Sequence, residues 1–305
     1  MQPVKVDRLS NVKARPTKSK LYRNNVFDYI NLFVMGLLAI TILYPFYNSV
    51  MVSFSPESVY VRTPFMLFPK EITLDSYYLV FRFKVIFTGY GVTIFITIVG
   101  VAYNILLTVL LAHALNQSFP GKKIVFGLIM FTMFFNGGLI PYYLLVKDLN
   151  LIDNLFSMIL PTGVSITYMT VMRKYFAALP QELEESAKLD GASDVVILFK
   201  IILPLAKPMI VTFMLYYGVE RWNEWWNGML FIKSPFKQPL QLVLRGIINS
   251  TGNEMTSSIE HANIIPFTEG VKMASVVVTM LPIMCLYPFM QKHFVQGLAI
   301  GAVKG

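Results

Sequence analysis

No Asp, Glu, Lys or Arg occurs in residues 85–121, VIFTGYGVTIFITIVGVAYNILLTVLLAHALNQSFPG. About 20 helical residues cross the hydrocarbon core of a bilayer, so this stretch is long enough to span a membrane. Outward from it, further charge-free windows occupy 29–56, 124–146, 154–172 and 273–291. A sixth apolar segment, 208–232, carries Glu220, Arg221 and Glu224 inside it. The pattern predicts an all-α integral membrane protein with six transmembrane helices.

The composition excludes an ordinary soluble domain. Of the 305 residues, 55% are hydrophobic and 14% are charged, against about 25% charged in soluble proteins. The net charge of +9 does not indicate a nucleic-acid partner, because the basic residues cluster between the apolar segments, near lipid headgroups. The single cysteine, Cys285, excludes an intrachain disulfide. The first window is too long for a cleaved signal peptide and predicts a retained anchor.

Lysine and arginine counts predict the orientation. With the N-terminus in the cytoplasm, 16 of the 26 Lys and Arg residues lie in the inside segments, so both termini are expected there. The predicted division is a basic cytoplasmic tail at 1–25, a first transmembrane helix at 26–54, an extracytoplasmic loop at 55–84, a core at 85–293 and a cytoplasmic C-terminal tail at 294–305. The core is expected to hold helices at about 88–115, 124–146, 154–172, 208–232 and 273–291, with a cytoplasmic loop at 173–207.

This cytoplasmic loop contains ALPQELEESAKLDGASDVVILFKIILPLAKP, residues 178–208. The pattern predicts a helix, a glycine break and a second helix. Pro180 suits a first turn, Gly191 a C-terminal stop and Ser193 the N-cap of the second helix. Leu183 and Ala187, four residues apart, would form an apolar ridge on the first helix. From composition alone, the acidic run is more typical of a solvated helix face than of a docking surface.

The loop resembles the EAA signature of the membrane subunits of binding-protein-dependent ABC importers. Glu185, Ala187 and Gly191 are followed at the signature spacing by Ile201, Leu203 and Pro204, with Ser186 in place of the first alanine. The segments DGAS (190–193), NGGLIP (136–141), YPFMQKHF (287–294) and GAVKG (301–305) are similar to the carbohydrate branch, in particular the maltose-type second permease subunit. The resemblance covers roughly residues 26–305.

The resemblance implies a type I ABC importer permease fold and a set of partners. These are a second related permease subunit, two cytoplasmic ATPase subunits or domains, and an extracytoplasmic sugar-binding protein, in a bacterial cell membrane. We call residues 173–207 the coupling loop, because the family docks this loop on the ATPase. That role is carried onto Glu182, Leu183, Glu185, Ser186, Ala187, Asp190 and Gly191.

The sequence shows none of the motifs of an enzyme. No Gly-rich loop ends in Gly-Lys-Ser or Gly-Lys-Thr, so ATP and Mg²⁺ are expected on the partner ATPase and no cofactor on this chain. His113, His261 and His293 lie in separate segments and predict no metal site. Glu184 and Glu185 point to different helix faces, which excludes a paired-carboxylate site.

A substrate path is predicted from polar helix faces. At 100° per residue, Tyr216, Glu220, Asn223 and Asn227 fall within about 40° of one another on the fifth span, with Glu224 at the flank. Charged groups at membrane depth normally face a bundle interior or a wet cavity, which favours contact with sugar hydroxyls. Arg221 could pair with Glu224 one turn away, as a structural pair.

Two further stripes leave alternatives open. Trp222, Trp225, Trp226 and Met229 would lie opposite the polar face, as an interfacial aromatic belt or as sugar-stacking rings. On the second span, Thr93, Thr97, Gly100, Asn104 and Thr108 share a face that could line the path or pack against another helix. Thr97 and Asn104 are included among the candidate path residues.

The function expected is that of a permease subunit in an ATP-driven importer of a sugar or oligosaccharide. An importer of another solute class remains open. A secondary transporter would predict inverted repeats with paired broken helices, and the sequence shows none. An intramembrane enzyme would predict clustered His, Asp or Cys within the spans, and only Glu220 and Glu224 come close to that.

Overall fold

The computed structural model describes residues 26–63, 66–250 and 267–302, and for 286–302 it describes the backbone alone. The expected basic tail at 1–25 and residues 303–305 of the expected C-terminal tail lie outside this range. All regular structure in the described residues is helical, which confirms the all-α class. The chain divides into two compact units, residues 1–47 and 48–305.

The helices alternate between long apolar elements and short connecting ones. In chain order they are α1 (Val26–Ser53), α2 (Glu57–Arg62), α3 (Asp75–Val80), α4 (Lys84–Ala114), α5 (Lys122–Phe134), α6 (Leu139–Asp148), α7 (Ile166–Ala177), α8 (Gln181–Leu189), α9 (Asp194–Ile197), α10 (Leu203–Leu205), α11 (Lys207–Trp222), α12 (Trp226–Phe231), α13 (Leu240–Asn249) and α14 (Thr268–Ala302). Short 3₁₀ turns occupy Leu155–Met158, Leu160–Thr162 and Pro235–Lys237, and a π-helical turn, Leu198–Ile202, joins α9 to α10.

Within the described residues, α1, α4 and α14 are individually long and apolar enough to cross a bilayer. Three bent pairs pass the same test when each is taken together. They are α5 with α6 (115°), the segment Leu155–Thr162 with α7 (49°), and the segment Asp194–Leu205 with α11 (84°). By length and composition the chain therefore offers three crossings, or up to six if each bent pair forms one.

The segment expected as one helix at 124–146 is two helices. Gly138 has a φ of +91°, and its N–H donates to Asn136 Oδ1 at 2.6 Å. Glycine adopts this backbone conformation without the steric cost that a Cβ brings, and the asparagine side chain takes the place of a helical carbonyl. The chain turns by 115° here, which a count of apolar residues does not detect.

In the unit 48–305, α4 is the central helix and packs against α7, α11 and α13. One apolar cluster joins its beginning to α3, α13 and α14. A second cluster joins the end of α4 to α7, to the part of the coupling loop that begins with α9, and to α11. Gly89 allows α13 to approach α4 closely, because a Cβ there would lie 3.2 Å from the Leu240 Cα.

Two expected loops contain more helix than the sequence indicated. The segment 55–84 includes α2 and α3, which pack against the apolar clusters. The last helix runs from Thr268 to Ala302, well beyond the expected 273–291 and into the expected C-terminal tail at 294–305.

Candidate functional site

The coupling loop opens with α8, a short polar helix. It begins directly after Pro180, whose fixed φ and missing N–H suit that position. Glu182 and Glu184 lie in its first turn, where a carboxylate is stabilised by the positive end of the helix dipole. Local signals therefore favour the helix that the sequence predicted.

Gly191 closes α8 and lets the chain reverse. The Gly191 N–H donates to the Lys188 carbonyl at 3.1 Å, and the Ala192 N–H donates to the Ala187 carbonyl at 2.9 Å. This pair of hydrogen bonds is the Schellman motif, and it places Gly191 at a φ of +82°. Ser193 then caps α9 by accepting a hydrogen bond from the Val196 N–H. A residue with a Cβ at position 191 would strain the turn.

The expected coupling residues mostly lie on the exposed surface of α8. Those exposed are Glu182, Leu183, Glu185, Ser186, Asp190 and Gly191. Ala187 is half-buried against the chain's own apolar cluster, so it does not form one outward ridge with Leu183. Leu189, which sequence reasoning did not single out, is 90% exposed. The sequence did carry a signal for it, because Leu189 is an apolar residue in the last turn before the glycine that ends the helix.

Polar contacts fix α8 against the turn that follows α4. Lys188 Nζ donates to Gln117 Oε1 at 3.1 Å and lies 3.5 Å from Asp194 Oδ1. Asn116 Nδ2 donates to the Arg173 carbonyl at 3.0 Å. A cavity of about 220 Å³ lies between the two segments. The coupling loop therefore contacts α4 as well as its own flanking helices.

A second candidate region is the exposed face of α11. The Tyr168 hydroxyl donates to Glu220 Oε1 at 2.6 Å. The Tyr168 ring stacks on Phe213 and Tyr216, with centroids 5.1 and 5.6 Å apart. Sequence reasoning identified Tyr216 and Glu220 but missed Tyr168, because it lies on a different span and no spacing rule connects the two. Carboxylate, hydroxyl and stacked rings together suit a polyhydroxylated solute.

The predicted polar face does not continue past Trp222, where α11 ends. The chain breaks before α12 begins at Trp226, so the angular positions of Asn223 and Asn227 no longer follow from 100° per residue. Asn223 is exposed. Asn227 is buried, accepts from the Tyr142 hydroxyl at 2.8 Å and donates to both oxygens of Glu224.

The three tryptophans do not form one belt. Trp222 is buried in the apolar cluster at the beginning of α4. Trp225 lies under the guanidinium of Arg245, 4.1 Å from its ring centroid, and Trp226 is 45% exposed. The Trp225 and Trp226 rings contact each other edge to face, with centroids 5.5 Å apart, whereas Trp222 packs in the core.

Arg221 is buried inside the bundle and does not pair with Glu224. Its Nε and Nη2 donate to Asn104 Oδ1 at 3.0 and 2.8 Å. Nη2 also donates to the Thr162 and Ile159 carbonyls at 2.9 and 3.3 Å, and Nη1 donates to the Met158 carbonyl. We call Arg221, Asn104 and these three carbonyls the arginine lock.

Asn104 has no free hydrogen-bonding group for a solute. Its side chain is fully buried, and its Nδ2 donates to the Thr162 and Gly163 carbonyls at 2.6 and 2.8 Å. Its oxygen accepts twice from Arg221. Thr97, the other candidate on α4, is partly buried and its hydroxyl has no hydrogen-bond partner. The two candidates therefore lie in unlike surroundings.

Asp153 ties two loops together at the end of the bundle where α12 lies. It adopts a φ of +57° and accepts from the Ser234 hydroxyl at 2.7 Å, from the Ser234 N–H at 2.9 Å and from Lys237 Nζ at 2.9 Å. These hydrogen bonds, those from Ser234 first, hold the pKa of the Asp153 carboxyl well below its ordinary range. We call these three residues the Asp153 clip. Sequence reasoning missed it, because its partners are far apart in the chain.

Known proteins are similar to this chain over most of its length, including the coupling loop and α11. The family model for binding-protein-dependent transport system inner membrane components matches residues 25–300. Protein LplC of Bacillus subtilis (strain 168) is 42% identical over 92% of this chain and 95% of its own length. The polygalacturonan/rhamnogalacturonan transport system permease protein YtcP of the same organism is 36% identical over 93% of this chain and all of its own.

A solved structure agrees with the fold. A chain of a bacterial ABC transporter involved in the import of the acidic polysaccharide alginate superposes with a TM-score of 0.83, at 31% identity, over 89% of this chain and 97% of that chain. The resemblance indicated by the EAA spacing is thereby confirmed. The chain belongs to the family of binding-protein-dependent transport system inner membrane components.

Proposed function

We propose that this chain is one of two permease subunits in an ATP-driven importer of a sugar or oligosaccharide. It would supply half of the translocation path and connect to a separate ATPase through the coupling loop. The partners would be a second, related permease, two cytoplasmic ATPase subunits or domains and an extracytoplasmic sugar-binding protein. ATP and Mg²⁺ would act on the ATPase, and this chain would carry out no chemistry on its solute.

The observation that carries the transport role is the pair of Tyr168 and Glu220. Glu220 is an exposed carboxylate within a span, and Tyr168 donates to it at 2.6 Å. A carboxylate at membrane depth is costly against lipid and normally faces protein or water. We therefore place this face toward the second permease subunit, with the path between the two subunits.

The sugar class rests on the chemistry of this face and on the relatives. The partly exposed, stacked rings of Tyr168 and Tyr216 offer apolar faces beside a hydrogen-bonding carboxylate, with the buried Phe213 packed behind Tyr168. Apolar and aromatic linings with a few placed polar groups are typical of solute sites. YtcP is named for polygalacturonan/rhamnogalacturonan transport, and the matched solved structure is of an ABC transporter involved in the import of alginate.

The coupling role rests on α8. Its exposed surface combines carboxylates at Glu182 and Glu185 with the apolar side chains of Leu183 and Leu189. Such a surface suits a protein groove that has basic residues at its edge. ATP binding would close the two ATPase domains and move this helix, and the bundle would rock between inward-facing and outward-facing states.

We further propose six spans with both termini in the cytoplasm of a bacterial cell. Single cysteines in a Cys285→Ser background test this arrangement with a membrane-impermeant thiol reagent. Cysteines near Lys122 and Ser193 should react only from the cytoplasmic side, and one near Lys70 only from outside. The expected outside position near Glu254 lies outside the described residues. Reaction of the Ser193 position from outside would contradict the topology and the coupling role together.

Purification after mild solubilisation tests the function most directly. The ATPase and the second permease should copurify, and the reconstituted complex should import oligosaccharides only with internal ATP and external binding protein. Omitting the binding protein is the control. Import of a different solute class would retain the importer and reject the sugar assignment. Import driven by an ion gradient without ATP would reject the proposed function.

A further inference from the structure

The break in the helical segment before α7 leaves backbone carbonyls without helical partners. The segment Leu155–Thr162 and α7 meet at 49°, and the last carbonyls of a helical segment have no intrahelical donor. In a bilayer such groups must find partners inside the protein. Here the guanidinium of Arg221 and the amide of Asn104 supply the donors, to Met158, Ile159, Thr162 and Gly163.

The side chain of Arg221 lies directly against the backbone of α4. Arg221 is 4% exposed, and its side chain lies over Gly100. A Cβ at Gly100 would lie 2.9 Å from the arginine Nε and 3.0 Å from its Cδ. Five hydrogen bonds hold the guanidinium in place. A shift away from Gly100 would lengthen or break some of them. Glycine is therefore required here by close approach rather than by backbone conformation.

A second contact, one turn earlier on α11, joins α11 to α4 and to the beginning of α7. The Tyr217 hydroxyl accepts from the Ser165 N–H at 3.0 Å and shares a hydrogen with Thr108 Oγ1 at 2.8 Å. Ser165 is the N-cap of α7 and Thr108 lies on α4. Helices α4 and α11 are thus joined at two successive levels, to the segment before α7 through the arginine lock and to the N-cap of α7 through Tyr217.

The order of the helices along the chain connects these contacts to the coupling loop. α7 runs from the arginine lock to Ala177 and leads into α8, and the chain returns through α9 and α10 into α11, which ends beside Arg221. The coupling loop therefore lies between two helices whose far ends are fastened together. A displacement of α8 would move both helices as one body.

We propose that Arg221 is a positioning residue that makes α4, α7 and α11 move as one rigid unit with the coupling loop. It transmits the displacement of α8 to the part of the path formed by Glu220 and Tyr168, which lie beside it on α11 and α7. This inference rests on the proposed function, and it adds a specific element that carries the motion.

The test measures the distance between nitroxide labels on α7 and α11. Val171 and Met214 are 42% and 44% exposed, and each is replaced by cysteine in a Cys285→Ser background within the purified complex. Distances are recorded without nucleotide and after trapping with ATP, Mg²⁺ and vanadate. With the native arginine we expect one narrow distribution that is the same in both states.

Three variants distinguish the loss of the hydrogen bonds in the arginine lock from the loss of a positive charge and from general destabilisation. Arg221→Met keeps an unbranched apolar stem, shorter than that of arginine, and removes the guanidinium donors, while Gly100→Ala keeps the arginine and displaces it. Both should broaden the distribution about twofold or shift it by about 2 Å between the two states, the size of ordinary helix shifts. Arg245→Met, which removes an exposed arginine outside the lock, should match the native complex.

Native-like distributions in both Arg221→Met and Gly100→Ala would overturn the proposal. Failure of both to assemble, with Arg245→Met assembling, would also overturn it, because Arg221 would then serve folding alone. If the native complex carries no ATPase, the proposed function fails. The nucleotide-free distributions still test the lock in that case, so the two failures are distinguishable.

Discussion

The coupling loop and the arginine lock are built on opposite principles. The loop is formed by neighbours in the chain: Pro180, the first-turn glutamates, Gly191 and Ser193 each act within a few residues. The lock joins residues 58 to 117 positions apart. In the loop, α8 and the turn at Gly191 are mostly exposed, whereas the lock is buried. A substitution in α8 or this turn should therefore alter a partner contact, whereas one in the lock should alter the bundle itself.

The largest effect is expected from Asn104→Leu. Leucine removes the oxygen that accepts from Arg221 twice and the donors to two carbonyls. Leaving a buried charged donor unsatisfied costs about 3 kcal/mol. Thermal unfolding of the purified subunit in detergent should show a clear decrease in melting temperature. Asn223→Leu, at an exposed asparagine, is the control and should change the melting temperature little. An equal loss in both variants would contradict the distinction between the two sites.

Gly191→Val should affect the other region, with the bundle intact. A β-branched residue at a φ of +82° is strained by about 1–3 kcal/mol, so the angle between α8 and α9 would change. We expect normal insertion and melting temperature, with less ATPase copurified and weaker stimulation of hydrolysis by the binding protein. Gly191→Asn, which tolerates this conformation, should retain most of the association. Native association and transport in Gly191→Val would make the loop a simple connector.

Glu220→Gln and Asn223→Ala should lower transport and leave assembly unchanged. The loss of a charge-assisted hydrogen bond corresponds to roughly tenfold to a hundredfold in rate, measured as uptake by the reconstituted complex. Tyr168→Phe should resemble Glu220→Gln, because it removes the other partner of the same bond. Trp225→Ala is the contrast: it removes the ring under Arg245 and should lower stability instead. Unchanged uptake in both Glu220→Gln and Asn223→Ala would place the path elsewhere.

The smallest effect concerns the Asp153 clip and pH. The pKa of Asp153 is depressed in the folded state from an ordinary value of 3.8. Its stabilising contribution is therefore complete above that value and is lost as the pH falls below it toward the depressed pKa. The melting temperatures of the native chain and Asp153→Asn should differ at neutral pH and converge in acid. Asp148→Asn is the matched control, and a constant difference across the pH range would contradict this account.

The sequence was most informative where physical signals are local or cumulative. Charge-free stretches gave the membrane class, and proline, glycine and serine gave the two helices of the coupling loop. It was less informative where a helix bends. The windows at 124–146 and 208–232 were each expected to form one helix, yet each contains a break, at Gly138 and at Asn223. A helical wheel assumes continuity and therefore misplaced Asn227.

The sequence by itself determined the all-α class, the family and the position of the coupling loop, because these depend on hydrophobicity and on contacts within a few residues. Only the tertiary structure decided which polar residues are used up inside the bundle. Arg221 binds Asn104 and unpaired carbonyls instead of Glu224, and Tyr168 joins Glu220 from another span. The reason is that a buried polar group takes whichever partner the fold brings near, and helix breaks and packing set that choice, not spacing along the chain.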